Sequence, residues 1–413
     1  MNSFLFIVNS FPPINNQNSI RALELSKRLI KENIKPLILT RRDVVKEAKD
    51  YDLIKEIPHN LEVLKTRVIE LKKRYSLRTF FFKISLKIFN TYFFIHWIPF
   101  GYLVGKRILK ERKNIKFIYS TGPPNYSHII AYLLKKKFKL PLIVEYRDPW
   151  SFNPYGSSKK LNLFQKTVLK IERKVLNSAT ILITVSEALK LFLIEKFPDI
   201  KSKPIFIIEN GLNLEEIANY ENKNKDKIIF TFIGKLYGRR NIEPLLQIIS
   251  DLKRQGIFKN IEFLLKIFGK YSYNSLTRII KKLDIQDLVY LGEFLTRKQI
   301  YEEIKKSYLT IHVGEDLDYP TISFKVWDYL SCRKKILYLG REDSYTANFL
   351  MENNFGVVIS INNLKKSRDT IKKIFLDINN NKFSNIIDKE KIMTFSWDNK
   401  VKKLKLCIEK LIR

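Results

Sequence analysis

Short apolar runs, each closed by a loop and followed by a helical apolar pattern, recur along the whole chain. Phe4–Val8 leads to a stripe of Ile20, Leu23, Leu25 and Leu29, and then to Pro36–Thr40. A strand, a helix and a second strand so close together form a βαβ unit. Such units build parallel sheets with helices on both faces, which is why their strands read as unbroken apolar runs. The alternation continues through Lys116–Ser120, Leu140–Glu145, Ala179–Val185 and Pro204–Ile208. Residues 222–227 are polar and charged throughout and read as a linker or surface loop. The pattern then restarts at Ile228–Ile233 and runs through Ile261–Phe268, Val289–Gly292, Leu309–Val313 and Ile336–Leu339. The expected class is α/β, with two Rossmann-like doubly wound parallel-sheet domains. The expected division is residues 1–205, completed by a C-terminal helix at 396–413, and residues 206–395. At 413 residues each half is large enough for its own core.

Charge narrows the partners. Lys and Arg number 76 against 42 Asp and Glu, a formal charge of +34. Such an excess suits an anionic partner or surface, although a preference for surface lysine accounts for part of it. The only cysteines, Cys332 and Cys407, form neither a disulfide framework nor a metal-ligand spacing, and they suit a reducing cytoplasm. The start of the chain lacks a basic lead and reads as a strand, not a signal peptide.

Two stretches have the makings of an anion site. After the Leu309–Val313 strand and an acidic loop comes Pro320–Leu330, a helical pattern with Thr321 and Ser323 as candidate caps. The first turn of a helix leaves N–H groups unpaired and favours an anion, and Lys325 lies in that turn. Asp328, three residues on, shares a helix face with Lys325. A diphosphate with a vicinal diol beyond it fits this arrangement, the phosphates on Lys325 and the diol on Asp328. The plainer reading is a capped helix with a surface Lys–Asp pair. The second stretch, Gly234–Asn241, places Lys235, Arg239 and Arg240 at a strand–helix junction, although it matches no phosphate-loop pattern.

In the first half, strand ends deliver the Asn9–Asn18 loop, His128 and the sequence from Tyr146 to Trp150. Ser19 is the expected cap of the first helix. His128 suits a satisfied structural role as well as a cleft. Arg147 and Asp148 suit either a buried pair or the binding of a phosphate or acceptor hydroxyl. From about Lys65 to Lys113, basic residues interleave with Phe80, Phe81, Phe82, Phe89, Tyr92, Phe93, Phe94 and Trp97. The apolar part is too short and too interrupted for a transmembrane helix. It suits the headgroup region of an anionic membrane, or equally a pair of core helices with solvated basic faces. No nucleic-acid motif accompanies it, so no nucleic-acid partner is expected.

The segments FLFIVNSFPP, SIRALELSKRL, IYSTGPPNYSH, VEYRDPW, ERKVLNSATILITVSEAL, IIENGLN, FTFIGKLYGRRN, VYLGEF and PTISFKVWDYLSCRKKILYLG together resemble, in content and order, the retaining glycosyltransferase family 4 of the GT-B fold. That resemblance implies a hexosyl or other glycosyl transfer from a nucleotide-diphosphate sugar to a glycan or lipid-linked acceptor, as in polysaccharide and cell-envelope biosynthesis. It implies Asp148, Lys235 and Arg240 as catalytic groups. Donor contacts would come from Gly234, Arg239, Glu293, Phe294, Thr321, Ser323, Lys325 and Asp328. Pro13, Asn16, Arg21, His128 and Arg147 would lie on the acceptor side. Lys and Arg would meet the diphosphate charge without a metal, and no cofactor is needed because the nucleotide sugar is a substrate. The expected location is cytoplasmic, peripheral at the inner face of a membrane. The sequence departs from the family at Pro320, where the pattern has its first glutamate, and at Ile14–Asn18, which lacks the loop glycines. A catalytically inactive GT-B-like nucleotide-binding or partner protein is therefore the alternative, and an epimerase of the same fold a third.

Overall fold

The computed structural model describes residues 2–44, 47–68, 97–152, 163–212, 227–236, 240–259, 261–314 and 319–412. They form two compact units, Met1–Asn210 with Trp397–Arg413, and Gly211–Ser396.

The first unit is built on β1 (Asn2–Ile7), β2 (Ile34–Arg41), β3 (Glu62–Thr66), β4 (Ile115–Gly122), β5 (Leu142–Tyr146), β6 (Ile181–Thr184) and β7 (Ile205–Ile207). All pairings are parallel, in the order β3-β2-β1-β4-β5-β6-β7. Side chains alternate across the sheet. Leu5, Ile7, Leu37, Leu39 and Ile118 join the aliphatic core with residues of α2 (Ile98–Glu111), α3 (Tyr126–Phe138) and α4 (Leu163–Ser178). The intervening residues make an aromatic layer: Phe4 stacks on Phe117 at 4.7 Å and Phe6 on Tyr119 at 4.6 Å. Near Tyr119, α1 (Gln17–Lys31) presents Arg21, whose guanidinium lies 5.5 Å from the ring of Trp397 in the last helix.

Asn16, not Ser19, caps α1: its side chain accepts from the Ser19 N–H at 2.9 Å. An amide at that position reaches a first-turn donor, whereas Ser19 is already inside the helix. Ser186 caps the helix Glu187–Lys196 through the Leu189 N–H, as its sequence position suggests. Of the basic–aromatic stretch, residues 69–96 lie outside the described residues. Its described end, α2, is a helix packed on the sheet, with Leu109 buried and Leu103 58% exposed. Among the described residues no helix is long and apolar enough to cross a membrane.

The second unit contains β8 (Ile228–Lys235), β9 (Phe263–Lys270), β10 (Val289–Gly292), β11 (Leu309–Val313), β12 (Ile336–Gly340) and β13 (Gly356–Ser360). Its parallel order is β10-β9-β8-β11-β12-β13. Phe232, Ile267, Ile311 and Leu337 pack with Leu245, Leu246 and Ile249 of the helix Glu243–Arg254. The other face carries Ile233, Ile336 and Tyr338 against Val326, Trp327 and Leu330 of α5 (Phe324–Ser331). In both units the strand order reverses beside the first strand, at β1/β4 and at β8/β11. Helices leave in opposite directions at such a switch point and open a crevice beyond the carboxyl ends of the strands.

Candidate active site

In the second unit the switch point is fixed by a tyrosine. β8 and β11 pair from Leu309↔Phe230 to Ile311↔Phe232 and then part. The Tyr329 hydroxyl fills the fork. It accepts from the Ile233 N–H at 3.3 Å and lies 3.2 Å from the Ile311 carbonyl. This plugs backbone groups that would otherwise be buried without partners. α5 is thereby pinned over the crevice with its first turn at the strand ends.

The cations converge there. The Lys325 ammonium occupies the space beside Gly234, 2.3 Å from where a Cβ on residue 234 would stand, and 5.9 Å from the Phe232 ring. Burial first, then the positive charges of Arg240 and Lys235, push the Lys325 pKa down to about 8, with Asp328 pulling the other way. Lys325 makes no ion pair with Asp328 among the described residues, so the surface Lys–Asp reading of this helix does not hold. Asp328 instead accepts a hydrogen bond from the Tyr301 hydroxyl at 3.0 Å. Ser323 occupies the N-cap position of α5, but its hydroxyl makes no capping bond. Thr321 is half-buried in the turn ahead of it, and Pro320 is buried. At the end of β10, Glu293 is exposed and Phe294 is 72% exposed, beside the Gly292 carbonyl held by Tyr271 at 2.7 Å. Arg239 lies outside the described residues.

The first unit sorts its candidates differently. Arg21, expected on the acceptor side, is 1% exposed and holds five acceptor contacts. Its Nε and Nη2 meet Glu145 Oε1 at 3.2 and 2.6 Å. The remaining donors reach the Ile208 and Glu209 carbonyls and Asn210 Oδ1. It is a buried brace with no donor left for a ligand. Burial opposes charge on Glu145, but Arg21, Arg147 and the Thr121 hydroxyl outweigh it and hold its pKa below the usual value.

Arg147 does not pair with Asp148. Its Nε bonds Thr121 Oγ1 and the Gly122 carbonyl, both at 3.1 Å, and its Nη2 bonds Asn18 Oδ1 at 2.9 Å and the Pro123 carbonyl at 2.7 Å. Nη1 has no partner among the described residues. This places one edge of a guanidinium at the first turn of α1, at the β1/β4 switch point. Burial lowers its pKa to about 10 and Arg21 adds to the effect, while Glu145 opposes it. Asp148 is half-buried next to it. Asn16 is engaged as the cap and also accepts from Ser10 at 3.0 Å, and buried Pro13 accepts the Asp50 N–H through its carbonyl at 2.8 Å. His128 is fully buried, with Nδ1 on Ser120 at 2.9 Å and its ring stacked on Tyr146 at 5.1 Å. Burial, opposed by Glu145 and reinforced by Arg147, takes its pKa to about 3, so it is neutral, and its Nε2 is buried with no partner among the described residues.

Residue-by-residue inspection of the sequence missed His312, Tyr301 and Tyr329. His312 and Tyr329 sit in apolar runs and read as core, whereas Tyr301 lies in the charged helical stretch Arg297–Lys306. The signal for His312 was present: a polar residue near the carboxyl end of a strand that ends at a switch point.

The fold and its two switch-point crevices define the GT-B class. Residues 19–216 match the family described as Glycosyltransferase Family 4, and residues 213–316 match Glycosyl transferases group 1. An uncharacterized glycosyltransferase of Methanocaldococcus jannaschii is 23% identical over 391 residues, spanning 86% of this chain and 86% of that protein. Sucrose-phosphate synthase from Thermosynechococcus elongatus superposes with a TM-score of 0.69 at 13% identity, covering 100% of this chain and 99% of that one. The Anabaena protein HepE, solved in complex with UDP, gives a TM-score of 0.65 at 13% identity, covering 99% of this chain and 100% of that one. The chain is thus a glycosyltransferase of the GT-B fold.

Proposed function

We propose that the protein transfers a sugar from a nucleoside-diphosphate sugar, with retention and without a metal, to a glycan or lipid-linked acceptor. The observation that carries this reading is the gathering of Lys235, Lys325 and Arg240 at the β8/β11 switch point. Cleaving a glycosyl phosphate builds negative charge on the diphosphate, and fixed cations stabilise it as it develops. The first turn of α5 adds backbone donors. Asp328, oriented by Tyr301, would take a ribose hydroxyl, and Glu293 and Phe294 would flank the base. Thr321, Ser323 and Gly234 would line the phosphate path.

In the first unit, the free edge of Arg147 at the start of α1 suits an anionic or hydroxyl-rich acceptor, with half-buried Asp148 next to it. A bilayer-linked acceptor is supported by the basic–aromatic stretch and by exposed Leu103 beside Arg107 and Lys110. Pro320, where the pattern has its first glutamate, and the Ile14–Asn18 loop without glycine favour a second reading, a nucleotide-binding partner without turnover.

Purified protein incubated with UDP-, GDP- and ADP-linked sugars separates the two. Nucleoside diphosphate release with an acceptor present, undiminished by EDTA and giving a product of unchanged anomeric configuration, is the expected result. Nucleotide binding with no release across the donors would leave only the partner reading.

A further inference from the structure

His312 is the first residue of β11 beyond its shared ladder with β8, since that pairing stops at Ile311↔Phe232. It stays paired on the other side, to Tyr338 of β12, and the two rings lie 5.8 Å apart. Its side chain therefore stands at the lip where the strands part, on the face covered by α5. It is 8% exposed, and its ring nitrogens find no hydrogen-bond partner among the described residues, although neither is sealed from solvent. The charges that act on it are Lys325 and Arg240, the cations of the crevice. Burial and those charges together keep the imidazole neutral. A neutral imidazole offers one N–H donor. A ring nitrogen that meets solvent at a crevice mouth and has no partner in the protein is open to an acceptor on a ligand.

We propose that His312 is a further donor of the diphosphate site, giving one ring N–H to a phosphate oxygen of the nucleoside diphosphate while Lys325 and Lys235 supply the charge. This rests on the reading of the second unit as the diphosphate site. The division of labour is physical. An ammonium attracts a phosphate from any direction, whereas an N–H held by a strand fixes where one oxygen sits. A further cation in the same place would be repelled by those already there, and a neutral donor is not.

The test is calorimetric titration with inorganic pyrophosphate and with UDP, GDP and ADP in turn, alongside thermal denaturation of the ligand-free protein. The variants are His312→Phe, His312→Asn, His312→Gln and Lys325→Ala. His312→Phe keeps a ring against Tyr338 but has no N–H. It is expected to weaken pyrophosphate and the bound nucleotide at least fivefold, with a melting temperature equal to or above that of the parent. One of the two amide variants, which carry an N–H near one ring nitrogen or the other, is expected to recover affinity to within about twofold. Unchanged affinity in His312→Phe, with a loss in Lys325→Ala, overturns the role of His312 and leaves the diphosphate site standing. A fall in melting temperature that accompanies the affinity loss makes His312 a packing residue and also overturns it. Failure of the parent to bind any of the four probes removes the site and this role together.

Discussion

The Lys325 ammonium lies where a side chain on residue 234 would have to be: Gly234 is the reason a lysine from α5 can reach the end of β8, 2.3 Å from the ideal Cβ position. Gly234→Ala is expected to keep the fold, because the conflict is with the mobile end of Lys325 and the rim of Phe232. The displaced ammonium should cost about tenfold in pyrophosphate affinity, the scale of one charged hydrogen bond. Titration of the variant beside Lys325→Ala checks this. The two losses should be similar and should not add when combined.

The same crowding sets a pH dependence. An ordinary lysine stays charged to about pH 10, but Lys325 loses its proton near pH 8. Pyrophosphate affinity of the free protein should therefore decline as pH rises through about 8. Lys325→Arg should flatten the profile between pH 7 and about 9.5, because a guanidinium keeps its proton there.

Glu172 is 1% exposed and accepts the Ser151 N–H at 2.8 Å. Burial raises its pKa to about 8 from 4.5, with the Ser151 bond pulling the other way. Because the folded-state value is the higher one, its contribution to stability is whole below pH 4.5 and is lost as pH rises towards 8. Denaturant midpoints should fall across that window. Glu172→Gln should remove the slope and be the more stable protein at pH 8.

Breaking the Arg21–Glu145 pair should be a stability defect. Removing one partner leaves a buried, uncompensated charge at a cost of roughly 3–5 kcal/mol. Urea unfolding of the ligand-free first unit's transition in Arg21→Ala should show that loss. A normal midpoint with lost turnover would instead return Arg21 to the acceptor site.

Phe294 is 72% exposed at the end of β10. If it flanks the base, Phe294→Ala should weaken nucleoside diphosphate by about 1–3 kcal/mol, the range of ring stacking. Pyrophosphate binding should not change. Equal weakening of both ligands would show that the ring supports the phosphate site and not the base.

Much of the architecture was legible because strand and helix periods are local. The apolar runs marked the sheet strands, although Leu140–Glu145 begins two residues before β5 does. Ser186 declared its helix start, and Lys235, Lys325 and Asp328 stood out by charge at strand–helix junctions. The cap of α1 was misplaced because Asn16 and Ser19 are both competent caps. Only the loop's path decides which one faces the free N–H groups.

Sequence alone thus determined the alternation of elements and the residue types at their ends, since each depends on neighbours a few positions away. Tertiary structure decided which polar groups are already taken. Arg21 and Glu145 are 124 residues apart and saturate each other, Tyr301 orients Asp328, and Gly234 makes room for Lys325. No local pattern encodes those contacts. They arise when parallel strands bring distant residues together, and burial then favours partners for the charges and donors that can find them.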